Sequence, residues 1–125
     1  MRLLIDTPIF IWWLKNSSEL SKKARDLIIN AEEVFVSSAS IWEISIKITL
    51  KKLKVDVFEV INAIEENGFL EMPITTKHAA NLSQLKNIHR DPFDRILIAQ
   101  AISEPLKFIT SDKILKGYSD LVEVV

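Results

Sequence analysis

The sequence predicts an α/β fold in three layers, with a central parallel sheet of about five strands and helices on both faces. Three observations carry that expectation. Short β-branched or aromatic runs alternate with helical patterns along the chain, the usual mark of strands joined by helical crossovers. No repeat, linker or low-complexity segment interrupts the alternation. The length of 125 residues, 48% hydrophobic and 26% charged, is that of a globular chain that buries about two thirds of its surface around one core. Residues 1–125 are therefore expected to form a single domain.

Residues 2–6 are an apolar run ending in an acid, and Pro8 suits the first turn of a helix capped by Thr7. That helix, over residues 9–14, is apolar on every side and includes Trp12 and Trp13, so it must be buried or covered by a partner. Ser21 caps a second helix to about residue 30, and residues 34–37 form a compact strand. Residues 38–52 read as a helix, with Ser40 and Glu43 spaced as a capping box. Asp56 starts another helix that stops near Gly68, residues 69–72 form a third strand, and a helix follows over residues 76–85. Asp91 and Pro92 open a strong helix through Ala101, with Asp94 favoured by the positive helix end. Residues 107–110 are the next strand, a helical turn follows Asp112, and residues 121–125 close the sheet.

Composition removes several function classes. Sixteen basic against seventeen acidic residues give a net charge of −1, so no overall positive field recruits nucleic acid or an anionic membrane, and such binding must be local. Zero cysteines exclude thiolate nucleophiles and zinc–cysteine sites and fit a reducing compartment. The start has no signal-peptide pattern and no apolar run approaches a bilayer span, so a soluble cytoplasmic protein is expected. Gly68 and Gly117, the two glycines, cannot build a phosphate-cradling loop, and His78 and His89 form no paired-histidine motif. The chemistry must come mainly from carboxylates.

Asp6 follows the first strand, Glu43 lies just beyond the second, and Asp112 follows the fourth. Asp94 opens a helix, and helices of a parallel sheet start at the edge where its strands end. The four acids are thus expected to converge where the strand order reverses. Each has a structural alternative as a cap or a dipole-favoured acid. Crowded together, however, they raise each other's pKa unless a cation lies among them, and an oxygen-rich set suits Mg²⁺ or Mn²⁺. Such an ion serves phosphodiester hydrolysis by neutralising charge and acidifying water.

Leu4-Ile-Asp-Thr7, Ser40-Ile-Trp-Glu43-Ile with Lys47, the run from His89 through Arg-Asp-Pro-Phe-Asp94-Arg95 to Ala101, and Thr110-Ser-Asp112 resemble PIN-domain ribonucleases, specifically VapC-like toxins. The resemblance covers nearly the whole chain in the right order, and the block from His89 to Ala101 is its specific part. It implies a Mg²⁺- or Mn²⁺-dependent endoribonuclease that forms homodimers and is held inactive by a cognate antitoxin whose tail occupies the acidic crevice. Asp6, Glu43, Asp94 and Asp112 would be the acidic quartet, Asp91 a helix cap or outer ligand, and Thr7 and Ser111 residues that steady water or metal. Where many relatives show Gly-Lys-Leu, this chain has Lys51-Lys52-Leu53.

Lys47, Lys51, Lys52 and Lys54, with Arg90 and Arg95, are candidates to hold RNA phosphates, Arg95 foremost. Their alternative is a solvated helix face. Phe10, Trp12 and Trp13 read as an antitoxin or dimer surface, and His89 as structural. Two rivals remain: a receiver-type phosphoacceptor domain of the same length, and a PIN-like module that binds protein without catalysis.

Overall fold

The computed structural model describes residues 1–125. Its five strands are β1 (Arg2–Ile5), β2 (Glu33–Ser37), β3 (Leu70–Met72), β4 (Lys107–Thr110) and β5 (Val122–Val124). Six helices join them: α1 (Thr7–Leu14), α2 (Lys22–Asn30), α3 (Ser38–Thr49), α4 (Val57–Glu66), α5 (Thr76–Asn81) and α6 (Pro92–Ser103). All strand pairs are parallel, in the order β3-β2-β1-β4-β5. The chain builds outward from β1 through β2 to β3, then returns to the other side of β1. The reversal therefore falls between β1 and β4, and it is there that a crevice opens beyond the strand ends. A receiver-type domain would place its strands 2-1-3-4-5, so that rival is set aside.

Alternation along the strands sorts side chains into two layers. Leu3, Ile5, Val34, Val36 and Ile109 join Ile9 and Phe10 of α1, Ala24 and Ile28 of α2, and Val60 and Ile64 of α4. Leu4, Phe35, Phe108 and Val122 face the other way onto α6, whose residues from Ile96 to Ala101 are all buried. A helix buried at six successive positions lies beneath the middle of the sheet and fixes where its own first turn points. No helix is long and apolar enough to cross a membrane.

Several local expectations need correction. The cap of α1 is Asp6, whose Oδ1 accepts from the Ile9 amide at 3.0 Å, and not Thr7. Ser37 and not Ser40 caps α3, accepting from the Ala39 amide, because β2 runs directly into the helix and brings the serine one turn earlier to the start. Ser40 lies inside α3, where its hydroxyl accepts from Thr7 Oγ1 at 2.9 Å. The helix expected over 76–85 is α5 followed by a separate 3₁₀ turn, Leu82–Gln84. Finally, α3 stops at Thr49, and Lys51 takes a left-handed φ of 58° while the Lys52 amide donates back to the Lys47 carbonyl. A glycine would occupy that conformation without steric cost. Phe10 is fully buried and Trp13 packs on Phe69 while donating to Asn67, so α1 presents no aromatic row to a partner.

Candidate active site

The crevice between β1 and β4 is stitched by backbone before any side chain enters it: the Asp6 amide donates to the Ile109 carbonyl at 3.0 Å. Asp6 is then held by its own helix start on one oxygen and by the Thr110 hydroxyl on the other, Oγ1 donating to Oδ2 at 2.5 Å. It is only 3% exposed. Burial raises its pKa from 3.8 to about 7; the Thr110 and Ile9 hydrogen bonds oppose the rise, and the charges of Asp94 and Glu43 add to it.

Asp94 reaches the same edge from the first turn of α6. Asp91 caps that helix, its Oδ1 accepting from the Phe93 and Asp94 amides at 2.8 and 3.1 Å. The cap aims Asp94 and also crowds it. Burial and then the Asp91 charge push the Asp94 pKa up to about 6, His89 pulls it down, and Glu43 and Asp112 raise it further. Asp112 caps the 3₁₀ segment Lys113–Tyr118 through the Ile114 amide, and its own amide donates to Thr110 Oγ1. Glu43, one turn into α3, pairs with Lys47 at 3.4 Å.

His89, Asp94 and Asp112 each offer a ligand atom within 4.8 Å of the other two. Asp6 and Glu43 lie outside that trio but near enough for their charges to act on Asp94 or on each other. Five carboxylates, counting Asp91, thus share one edge with one lysine, Lys47 on Glu43, and one imidazole, His89, 3.2 Å from Asp94. A surplus of oxygen donors, in which burial and neighbouring charge raise the pKa of Asp6 and Asp94, is a set that a hard divalent cation would relieve, so the residues present fit such an ion.

Two of the residues expected to touch substrate are used inside the fold. Arg95 is turned inward: Nη1 donates to the Lys86 carbonyl at 2.9 Å and to Tyr118 Oη at 3.1 Å, and Nη2 to the Leu82 carbonyl. Thr7 is 1% exposed and its hydroxyl is committed to Ser40. Ser111 and the lysines at 51, 52 and 54 are exposed. Sequence reasoning missed Thr110, whose hydroxyl bridges Asp6 and the Asp112 amide, and the place of His89. A threonine ending a strand beside a Ser-Asp pair was the available signal for the first. It also missed Trp42, 60% exposed on α3 and edge-on to Phe93 at 5.0 Å, in a groove lined with Ile46, Ile74, Leu82 and Ile96.

Comparison with known proteins identifies the fold and the family. The chain is 25% identical over 119 residues to Ribonuclease VapC22 of Mycobacterium tuberculosis (strain ATCC 25618 / H37Rv), covering 93% of this chain and 91% of that protein. Its fold resembles a crystal structure of VapBC2 from Rickettsia felis bound to a promoter DNA fragment, with a TM-score of 0.76, 17% identity and coverage of 100% and 99% of the two chains. It also resembles FitAcB from Neisseria gonorrhoeae, with a TM-score of 0.68, 17% identity and coverage of 98% and 96%. The sequence pattern of the PIN domain matches residues 3–121, and the chain belongs to the PIN-domain family.

Proposed function

We propose that this chain, residues 1–125 acting as one unit, is a divalent-metal-dependent endoribonuclease of the VapC type, restrained by a cognate antitoxin. The observation that carries the reading is the convergence of Asp94 and Asp112 beside the buried, protonation-prone Asp6 at the strand-order reversal. A relative named as a ribonuclease, and structural neighbours solved as toxin–antitoxin assemblies, support it.

Asp6, Glu43, Asp94 and Asp112 would hold Mg²⁺ or Mn²⁺, with Asp91 an outer support. The ion, when bound, supplies charge neutralisation at the phosphodiester and acidifies water. This chain's part is positional. The caps at Asp6, Asp91 and Asp112 fix the acids on rigid elements, and Thr110 keeps Asp6 and Asp112 in register. Lys47 and Arg90 would attract an RNA backbone by charge and Ser111 could hydrogen-bond it, with the exposed lysines at 51, 52 and 54, beyond the far end of α3, as a more distant basic patch. Arg95 and Thr7 are left out of that set because their polar groups are already bonded.

The groove at Trp42 and Phe93 carries no charged residue, so it offers nothing to a polyanion; a second copy of the chain is its proposed occupant, consistent with a homodimer. The antitoxin would close the acidic crevice. An RNA substrate and a cysteine-free chain fit the cytoplasm.

The test is RNA cleavage by protein stripped of co-purified partner. Cleavage is expected with millimolar Mn²⁺ or Mg²⁺, abolished by EDTA and restored by excess ion. Cleavage that persists in EDTA would refute the metal-dependent reading, and none under any ion would leave a protein-binding module.

A further inference from the structure

His89 sits in the irregular stretch before α6, yet its backbone is held from both sides by one phenol. The His89 amide donates to Tyr118 Oη at 2.8 Å, and Tyr118 Oη donates to the His89 carbonyl at 3.2 Å. Arg95 Nη1 donates to the same oxygen at 3.1 Å, and its Nη1 and Nη2 also take the Lys86 and Leu82 carbonyls, which ties down the chain on the approach to His89. Tyr118 and Arg95 together fix the residue that a flexible loop would leave free. What they present to the acidic edge is an imidazole: Nε2 lies 3.2 Å from Asp94 Oδ2 and belongs, with Asp94 and Asp112, to the one trio whose ligand atoms gather within 4.8 Å.

We infer that His89 is a nitrogen ligand of the metal site, held there by Tyr118 and Arg95, and that it shifts the preference of the site from Mg²⁺ towards Mn²⁺. The inference rests on the metal-dependent reading above. Neighbouring donors around an octahedral ion with bonds of about 2.0–2.1 Å stand roughly 3 Å apart, and the His89–Asp94 separation is of that size. Carboxylates alone favour Mg²⁺ and Mn²⁺ alike. An imidazole favours first-row transition ions, whereas Mg²⁺ gives up its waters reluctantly to nitrogen. A merely structural histidine would instead be buried with both ring nitrogens satisfied, as His78 is.

The experiment loads the whole chain, freed of partner, with MnCl₂ and records electron spin-echo modulation, which detects a nitrogen bonded directly to Mn²⁺. That measurement needs no variant. A ¹⁴N coupling is expected in the wild type and lost in His89→Ala. By calorimetry, His89→Ala is expected to bind Mn²⁺ at least about tenfold more weakly, with Mg²⁺ affinity changed less than about threefold. No nitrogen coupling in the wild type, or an equal loss for both ions, overturns the inference. Wild-type protein that cleaves RNA with Mn²⁺ yet shows no coupling would remove His89 alone and leave the nuclease reading standing. Absence of metal-dependent cleavage would remove the nuclease reading itself.

Discussion

The two ends of α6 hold buried polar side chains in contrasting company. Near its end Gln100, fully buried, donates to the Met72 and Pro73 carbonyls, and beside it His78 joins α5 to α6. His78 Nδ1 accepts from the Thr75 amide at 3.0 Å, which leaves Nε2 to donate to Glu104, while Asn81 donates to Ser103. Within that cluster only Gln100 Oε1 lacks a partner. At the helix start, Asp94 carries first the cost of its own partial burial and then the charges of Asp91, Glu43 and Asp112. The first cluster satisfies all but one of its polar atoms with protein and so joins elements; the second leaves like charges facing one another and so selects for something outside the chain.

The sharpest contrast comes from substituting one residue in each cluster. Asp94→Asn is expected to lower metal-dependent RNA cleavage at least about a hundredfold while leaving the metal-free melting temperature unchanged or higher, since a repelled charge is removed. His78→Ala is expected to cost about 2–4 kcal/mol of stability, from lost packing and an orphaned Thr75 amide, with cleavage per folded molecule within about twofold of the wild type. Urea unfolding and a cleavage assay on the same preparations check both. Destabilisation by Asp94→Asn comparable to that of His78→Ala would break the distinction.

pH should sharpen it. Asp6 and Asp94 titrate in the fold near 7 and 6, above the ordinary 3.8, so between these values the folded chain binds more protons than the unfolded one. Unfolding free energy then falls as pH rises across that window, and the penalty is fully present above about pH 7. Melting in EDTA between about pH 5 and 8 is expected to show this decline, and Asp6→Asn to flatten most of it. Saturating Mn²⁺ at about pH 8 should restore the lost stability, because the ion binds only the folded, ionised site. A wild-type slope identical to that of Asp6→Asn would show that repulsion at the crevice is not felt globally.

The smallest effect belongs to neither cluster. Lys51→Gly relieves a left-handed residue after α3 and is expected to add about 0.5–1 kcal/mol by urea unfolding, with cleavage lowered at most a few-fold by the loss of one phosphate-attracting charge. It gives the scale of a purely local backbone change against which the other two are judged.

Much of the fold was legible because its signals are local: short continuous apolar runs for β1 and β4, and Ser21, Asp56 and Asp91 as caps where the structure has them. The convergence of Asp94 and Asp112 followed from topology, since parallel strands and the helices after them share one edge. What escaped depends on partners distant in sequence. Tyr118 and His89 are 29 residues apart, Thr110 and Asp6 are 104, and no spacing rule links them. Arg95 looks like a phosphate ligand beside Asp94, but loop carbonyls of Leu82 and Lys86 supply acceptors that only the folded chain brings near. Ser37, Ser38 and Ser40 are interchangeable as caps until the end of β2 decides which one stands at the helix start.

The carboxylates at positions 6, 91 and 112 each begin a helical segment as well as charging the crevice. An inactivated protein made by truncating one of them to alanine would therefore fray the scaffold along with the chemistry, and its silence in an assay would be uninterpretable. Asparagine keeps an oxygen where the amides need one, so that exchange tests the charge by itself.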